Sequence, residues 1–354
     1  MKISKINVKK VQIPLIEPFK ISLGTISSSM EALVEIETDE GLVGYGEGAA
    51  GILITGENLE GTVRSIEVIG KNLIGIDPLE LEKIYWIMDR ASAYAPCAKA
   101  AIDIACHDLI GKIFNQPLYK ILGGHDNKLD TDITVGINEP EITAAKAKKH
   151  IENGFDTIKV KVGSTMEADI KRIRLIRSAI GAASKIRIDA NQAWSAKEAV
   201  RMLNKLAEFD IELVEQPVRA YDIDGLEFVT KNSPIPVMAD ESVFTSKDAM
   251  KLVQRHAVDY VNIKLMKCGG LREAIKINTV CEAAGVECML GCMAEESNIG
   301  VTAAASLGAA VKNITRADLD SHFSLKELPF KGGVQSVNGK SLVLSEAPGL
   351  GLIK

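Results

Sequence analysis

The stretch DTIKVKVG (156–163) decides the fold, because it places two lysines on one face of an apolar, β-branched strand. Lys159 and Lys161 alternate with Ile158 and Val160, so the two lysines point the same way. The flanks are typical of a buried parallel strand, where two inward cations are costly unless anions lie close by. A solvated edge strand is the usual explanation of such a pair, but these flanks disfavour it.

Four further polar marks follow at nearly constant intervals. From Lys159 the steps to Asp189, Glu215, Asp240 and Lys264 are about 30, 26, 25 and 24 residues, close to one strand plus one helix each. Each mark ends an apolar run and precedes turn or helix signals. In a (β/α) barrel such positions lie at the C-terminal mouth, where side chains of different strands meet. The marks are IDAN (188–191), VEQP (214–217), ADES (239–242) and NIKLMK (262–267).

The chain divides into a barrel and a second, smaller unit. Residues 126–325 alternate eight strand-like and seven helix-like segments, which predicts an α/β fold, a modified (β/α)7β TIM-like barrel. Residues 1–125 read as antiparallel strands followed by helices, so we expect an N-terminal α+β capping domain, completed by residues from about 326 to 354. The segment AKAAIDIACHDLIGKIFNQPLYKIL has helical periodicity, and Gly123-Gly124 is the expected stop.

Composition narrows the class of protein. The chain has 354 residues, 46% of them apolar, with a net charge of −5, and its pI is near 5.7. This charge disfavours a nucleic-acid partner or an anionic membrane surface. No apolar run approaches the roughly 18 residues of a membrane span, and the start reads as a strand, not a signal peptide. Six cysteines without CxxC spacing indicate reduced thiols. We expect a cytoplasmic enzyme with a small-molecule substrate, assembled as a homo-oligomer.

Three acids on successive strands predict a metal site. Asp189, Glu215 and Asp240 supply hard oxygen donors without histidine or cysteine, a set that suits one Mg²⁺ per subunit. Each acid could instead cap the following helix, but three in register favour a metal. Asn191 and Glu241 are the expected supporting partners of these ligands.

Two lysines predict the chemistry. Lys161 is on the second barrel strand and Lys264 on the sixth, four apart in a ring of eight, so they should face each other across the mouth. Lys267 has the other parity and falls into the following turn. Two bases on opposite faces of one carbon are what a reversible 1,1-proton transfer requires. A lysine base needs a pKa of roughly 7–8, and we expect Mg²⁺ and Lys159 to lower it.

At these residues the chain resembles the enolase superfamily, in particular its muconate-lactonising-enzyme-like subgroup. The resemblance includes KxK on strand two, the D/E/D set on strands three to five, K on strand six, and GEG in GYGEG (44–48). It runs almost end to end, and it implies the capping domain, the barrel and a Mg²⁺-assisted proton transfer. It does not fix the reaction. No histidine stands at the end of strand seven, which makes a mandelate-racemase-like arrangement unlikely.

Strand eight resembles that of dipeptide epimerases in this superfamily. It ends RADLDS, with Asp318 and Asp320 on one face, and the resemblance implies that these acids hold a substrate α-ammonium. Lys159 would help to bind the substrate carboxylate. The resemblance also places Thr134 and Cys292 in the pocket, and Glu295 in a hydrogen-bonding role. The expected function is a Mg²⁺-dependent epimerase of L-Ala-L-Xaa-type dipeptides, inverting the C-terminal residue.

The capping loops indicate the preferred side chain. L-Ala-Glu epimerases carry an Arg in a motif resembling PFKTALRT, but here the sequence is PFKISLGT, with Gly24 in its place. The second loop, with Ile54, is mostly apolar, so we predict uncharged or hydrophobic Xaa. A shifted loop could still bring Lys20 to an acidic side chain. The alternatives are an L-Ala-D/L-Glu epimerase of cell-wall peptide recycling, an N-acylamino-acid racemase or o-succinylbenzoate synthase, and a non-enzymatic metal-binding barrel.

Overall fold

The catalytic-site candidates lie in an eight-stranded parallel sheet that curls into a barrel. The structure, a computed structural model, describes residues 1–354. The barrel strands follow each other in chain order from first to last. The ring closes where the Asp132 backbone N–H donates to the Ala317 carbonyl oxygen at 3.2 Å. The barrel strands are β5 (Ile133–Val135), β6 (Thr157–Lys161), β7 (Lys185–Asp189), β8 (Ile211–Glu215), β9 (Val237–Ala239), β10 (Tyr260–Lys264), β11 (Glu287–Gly291) and β12 (Ile314–Asp318).

An α-helical connection follows each of the first seven barrel strands, whereas only a short 3-10 helix, Ser321–Ser324, follows the eighth. Short side-chain caps start several of these helices; Ser195, for example, forms a capping box with Glu198. The predicted (β/α)7β barrel is therefore confirmed. The connecting helices are α5 (Pro140–Glu152), α6 (Met166–Ile180), α7 (Ala196–Leu206), α8 (Ile223–Asn232), α9 (Ser246–Gln254), the short α10 (Leu265–Cys268), α11 (Leu271–Ala283) and α12 (Asn298–Ala310).

The N-terminal region is a three-stranded antiparallel sheet packed on helices. A turn at Asp39-Glu40-Gly41 joins its second and third strands, and Gly41 has φ of +87°. The apolar faces of this sheet and of its helices form a core separate from that of the barrel. The elements are β1 (Ile3–Ile21), β2 (Gly24–Thr38), β3 (Val43–Ala49), α1 (Leu59–Leu73), α2 (Leu81–Ala91), α3 (Pro96–Ile113) and α4 (Leu118–Ile121).

One expected helix is broken. The sequence predicts that this helix continues to Gly123. In the structure α3 ends at Ile113, and the chain is helical again only in the single turn α4. Asn115 has φ of +51°, and Pro117 has no N–H to continue the helical ladder. The interruption lets Gly111 approach the backbone of Gly349 so closely that a Cβ there would lie 2.4 Å from the Gly349 Cα.

The C-terminal segment returns to both parts of the molecule. The Leu350 N–H donates to Asp108 Oδ1 of α3 at 2.8 Å, and the Val334 N–H donates to Thr302 Oγ1 of the barrel helix α12 at 2.9 Å. No helix is both long and apolar enough to cross a membrane. The remaining strands are β4 (Lys128–Asp130), β13 (Lys331–Gly332), β14 (Gln335–Val337), β15 (Ser341–Val343) and β16 (Leu352–Ile353).

Candidate active site at the barrel mouth

The functional candidates stand at strand ends in one layer of the barrel. Lys161 pairs in register with Asp189 and Asp189 with Glu215, while Lys264 pairs with Gly291 and Gly291 with Asp318. Asp240 follows directly after β9. Gly291 is required here, since a Cβ would stand 2.7 Å from Asn262 Oδ1 and 3.1 Å from Lys264 Cε.

A pocket of about 750 Å³, including its open mouth, covers this layer. Its floor is charged, and its upper wall is apolar and comes from the β1–β2 hairpin and the loop after β3. The predicted site residues that line it are Thr134, Lys159, Lys161, Asn191, Lys264, Cys292, Glu295, Asp318, Asp320 and Ile54.

Lys159 is a fully enclosed cation among three acids. Its Nζ lies 2.6 Å from Asp318 Oδ2, 2.6 Å from Glu215 Oε2 and 3.3 Å from Asp189 Oδ2. Burial alone would lower the pKa of Lys159, but the three carboxylates outweigh it and hold that pKa well above its usual value. Lys159 is therefore a fixed positive charge, and the anions expected beside the inward lysines are present.

The three predicted metal ligands are buried together beneath the pocket. As placed, no three acidic, histidine or cysteine side chains form a ready metal cluster, and each of the three carboxylates contacts a lysine ammonium instead. Burial raises the pKa of Glu215 to about 8, with Asp189 adding repulsion. Burial would also raise the pKa of Asp240, but Lys264 and Lys267 lower it below its usual value.

The donor set nevertheless fits Mg²⁺. Glu215 Oε2 and Asp240 Oδ2 are buried and accept no hydrogen bond of regular geometry; each instead lies at ion-pair distance from a lysine ammonium, a position that a metal cation could take. The expected supporting groups are in place: the Asn191 N–H donates to Asp189 Oδ1 at 2.9 Å, and its Nδ2 to Glu241 Oε1 at 3.2 Å. Hard oxygen donors held in this way are the ligands that Mg²⁺ prefers.

Lys161 and Lys264 differ from Lys159 in having one carboxylate contact each. Lys161 Nζ donates to Asp189 Oδ2 at 2.6 Å, and Lys264 Nζ lies 3.0 Å from Asp240 Oδ2. Both side chains are nearly buried and line the pocket. Burial and the charge of Lys159 would lower the pKa of Lys264, but in the metal-free site the charge of Asp240 outweighs both and raises that pKa.

The Asp-x-Asp pair lies on the side of the pocket formed by β12 and β5. Asp318 accepts from Lys159, while Asp320 Oδ2 accepts from the Thr134 backbone N–H at 2.6 Å. Burial, reinforced by the charge of Asp318, raises the pKa of Asp320 to about 6. Cys292 Sγ lies 4.0 Å from Asp320 Oδ1. This side of the pocket thus carries negative charge that a cationic ligand group could neutralise.

Two other predicted residues, Ile54 and Gly24, differ in their position relative to the apolar wall of the pocket. Ile54 lines the pocket together with Leu53. Gly24 does not line the pocket; it packs behind Leu53, whose Cδ1 would stand 3.1 Å from a Cβ at position 24. Lys20 is exposed and is not a lining residue, so this wall carries no cation from the hairpin.

The sequence pattern missed three residues that hold the acids in place. Asn262 Nδ2 donates to Glu215 Oε1 at 2.8 Å, and Gln216 Oε1 accepts from the Asp240 N–H at 2.9 Å. Lys267, expected in a turn, instead reaches back to Asp240 from α10. Asn262 shares strand parity with Lys264, which could have indicated its role, whereas no local pattern indicates the contact of Lys267.

Two family descriptions match the chain, one for each part. Residues 3–123 match the mandelate racemase / muconate lactonizing enzyme N-terminal domain, and residues 143–353 match the enolase C-terminal domain-like family. The chain belongs to the enolase superfamily. It is 56% identical to a hydrophobic dipeptide epimerase of Enterococcus faecalis and 44% identical to an L-Ala-D/L-Glu epimerase of Clostridium acetobutylicum, each alignment covering 99% of both chains.

Solved structures of superfamily members have the same fold. The Enterococcus faecalis V583 dipeptide epimerase, complexed with Mg and the dipeptide L-Leu-L-Tyr, superimposes with a TM-score of 0.98 at 56% identity, covering 99% of each chain. A substrate-liganded L-Ala-D/L-Glu epimerase of Bacillus subtilis gives 0.97 at 41% identity, covering 100% of this chain and 99% of the other.

Proposed function

We propose that this superfamily member is a Mg²⁺-dependent dipeptide epimerase that inverts the α-carbon of the C-terminal residue by two-base proton transfer, with a preference for hydrophobic side chains. One observation carries the proposal: two lysines from opposite barrel strands and a pair of aspartates line the same pocket. The epimerase relatives that align along the whole chain support the same reaction.

The proposed proton transfer uses Lys161 and Lys264. One lysine removes the α-proton from one face of the carbon, and the other, in its ammonium form, delivers a proton to the opposite face. Because the reaction is reversible, the two lysines exchange roles in the reverse direction. Only one acid contacts each of these ammoniums, so each can turn toward a substrate without breaking a full set of bonds.

Asp189, Glu215 and Asp240 would hold the Mg²⁺. When bound, the ion supplies positive charge that stabilises the negative charge developing on the substrate carboxylate as the α-proton leaves. Lys159, already fixed among these acids, adds a second positive charge near the carboxylate. Asp318 and Asp320 would bind the α-ammonium at the other end of the dipeptide.

The apolar wall favours hydrophobic C-terminal residues over glutamate. Leu53 and Ile54 face the pocket, and Lys20 lies outside it. A glutamate side chain buried against this wall would have no cationic partner, which is costly. The L-Ala-D/L-Glu epimerase alternative is supported by the similarity of such enzymes, but not by the residues of this wall.

A deuterium-exchange screen tests the proposal. Incubating the Mg²⁺-loaded protein with a panel of L,L-dipeptides in D₂O should give α-deuterium and the epimer at the C-terminal residue, detected by NMR. Chelation should remove the activity, and added Mg²⁺ should restore it. The absence of exchange with every dipeptide of the panel would contradict the proposal.

Two statements about the protein in solution complete the proposal. We infer a homo-oligomer, which light scattering coupled to gel filtration would test. We also infer a cytoplasmic location, supported by six cysteines that all lie unpaired.

A further inference from the structure

The buried lysine behind Asp240 is the feature that neither the sequence motif nor the proposed reaction uses. Lys267 lies on α10, directly after the strand that carries Lys264, and its side chain has no exposed surface. Its Nζ donates to the Asp240 carbonyl oxygen at 2.5 Å and to the Asn262 carbonyl oxygen at 3.2 Å, and it also forms a close ion pair with Asp240 Oδ1. Three fixed oxygens therefore surround this ammonium.

Three neighbours divide the polar atoms of Asp240 between them. Gln216 accepts from its backbone N–H, and Lys267 contacts its carbonyl oxygen and Oδ1. Only Oδ2 faces the mouth, where it lies 3.0 Å from Lys264 Nζ. The aspartate is thus held from behind, and a single carboxylate oxygen remains for the groups in the pocket.

We propose that Lys267 is a positioning residue that fixes Asp240 so that its Oδ2 alone serves both the Mg²⁺ and Lys264. This inference rests on the proposed function. Buried charge pairs in this arrangement are costly to break, because removing one partner leaves the other unpaired. Without Lys267, the Asp240 carboxylate would rotate and contact the Lys264 ammonium through both of its oxygens. Metal binding and the step at Lys264 would then weaken together.

The fixed ammonium also separates two classes of lysine at the mouth. Lys159 and Lys267 each touch three oxygens, so neither can turn away without leaving a buried acid unpaired. Lys161 and Lys264 each contact one carboxylate. Lys267 is therefore placed to hold an acid, not to exchange a proton with substrate.

Calorimetry with Mg²⁺ as the probe tests the positioning role. K267M removes the ammonium and keeps the length of the side chain, K267R keeps a cation, and K276M changes a half-exposed lysine of α11 outside the site. We expect K267M to weaken Mg²⁺ binding by about 10–100-fold, the usual effect of losing a group that supports a metal ligand. K267R should recover most of the affinity, and K276M should match the parent.

Exchange of the α-deuteron, measured separately for each epimer of one dipeptide, gives a second readout. K264A should stop exchange from one epimer only, and this identifies the epimer that Lys264 deprotonates. In Mg²⁺-saturated K267M, exchange from this epimer should fall at least about tenfold further than exchange from the other. A merely structural role would slow both equally.

Wild-type Mg²⁺ affinity in folded K267M, or equal slowing of both exchanges, would overturn the inference. If K267M does not fold by circular dichroism, K267Q, whose amide can still donate to one carbonyl, is subjected to the same two measurements and must meet the same criteria. The calorimetry does not depend on epimerase activity, so failure of the proposed reaction and failure of this inference are distinguishable.

Discussion

Gly24 packs directly behind Leu53, with only 3.1 Å available between a Cβ at position 24 and Leu53 Cδ1. The residue at position 24 and the position of the Leu53 side chain therefore depend on each other. A Cβ at position 24 would require the Leu53 side chain, which forms part of the apolar pocket wall, to shift by a few tenths of an ångström.

The first prediction follows from this contact. Gly24→Arg alone should lower kcat/KM for L-Ala-L-Leu, because the new side chain displaces Leu53, and it should give little activity on L-Ala-L-Glu. Leu53→Ala should cost up to about tenfold in kcat/KM on L-Ala-L-Leu, since this leucine is only partly buried. The kcat/KM of the double variant on L-Ala-L-Glu should exceed the value expected from adding the effects of the two single substitutions.

Steady-state kinetics of the parent and of the three variants on both dipeptides measure this coupling. Ile52→Ala is the matched control, because Ile52 is exposed and does not line the pocket. A parent enzyme with a higher kcat/KM on L-Ala-L-Glu than on L-Ala-L-Leu would show that the wall has been misinterpreted, although the epimerase reaction would stand.

The second prediction concerns the two proposed bases. Lys161→Ala and Lys264→Ala should each abolish epimerisation, with a loss of about 10²–10⁴-fold or more. Each variant should still exchange the α-proton of one epimer only, because one base remains on one face. Polarimetry measures epimerisation and NMR in D₂O measures exchange, with Lys205→Ala on the exposed face of α7 as the control. Full epimerisation by Lys264→Ala would assign the chemistry to another residue.

The third prediction concerns Asp320. Asp320→Asn removes the charge but keeps an oxygen that can accept from the Thr134 N–H, so folding should be preserved. The parent should strongly prefer a free dipeptide to its N-acetyl form, since acetylation removes the cation that neutralises these acids. The variant should lose activity on the free dipeptide and lose this preference. A parent that favours the N-acetyl substrate would instead support an N-acylamino-acid racemase.

The barrel was predictable from the sequence because each strand end is indicated by its own short stretch of residues. Lys159, Asp189, Glu215 and Lys264 each end an apolar run, and the constant spacing places such runs on neighbouring strands. The predicted fold and the membership of the enolase superfamily are confirmed by the family matches, and the epimerase relatives support the proposed reaction. The roles of the individual site residues, and the domain boundaries near 125 and 325, stay predictions.

Features that depend on contacts between distant parts of the chain were not predictable. Periodicity predicts one helix up to Gly123, but the segment after α3 forms backbone hydrogen bonds with Gly349, far along the chain, instead of continuing the helix. Lys267 read as a turn residue, because nothing local shows that its ammonium reaches Asp240, 27 residues earlier in the chain. The pKa of Lys264 likewise depends on which acids surround it and not on its neighbours in sequence.

The last prediction concerns three glutamates buried between the capping sheet and the barrel: Glu31, Glu47 and Glu296. Glu296 accepts from the Met293 N–H at 2.7 Å, but its Oε2 has no partner. Burial raises the pKa of Glu296 to about 8, and the charge of Glu47 adds to this; burial also raises the pKa of Glu47 to about 7. The charge of Lys264 opposes the shift at Glu296.

A raised carboxyl pKa means that the folded state favours the protonated acid. The stabilisation is therefore complete below the pKa of the unfolded chain, near 4.3, and is lost as pH rises through about 8. Because Glu296→Gln cannot ionise, its free energy of unfolding relative to that of the parent should rise by several kcal/mol between pH 5 and pH 9. Urea unfolding of the Mg²⁺-free protein from pH 5 to 9 measures this, with exposed Glu282→Gln on α11 as the control. If Glu296→Gln were destabilised at pH 9 as much as at pH 5, the ionised carboxylate would be part of the stable fold.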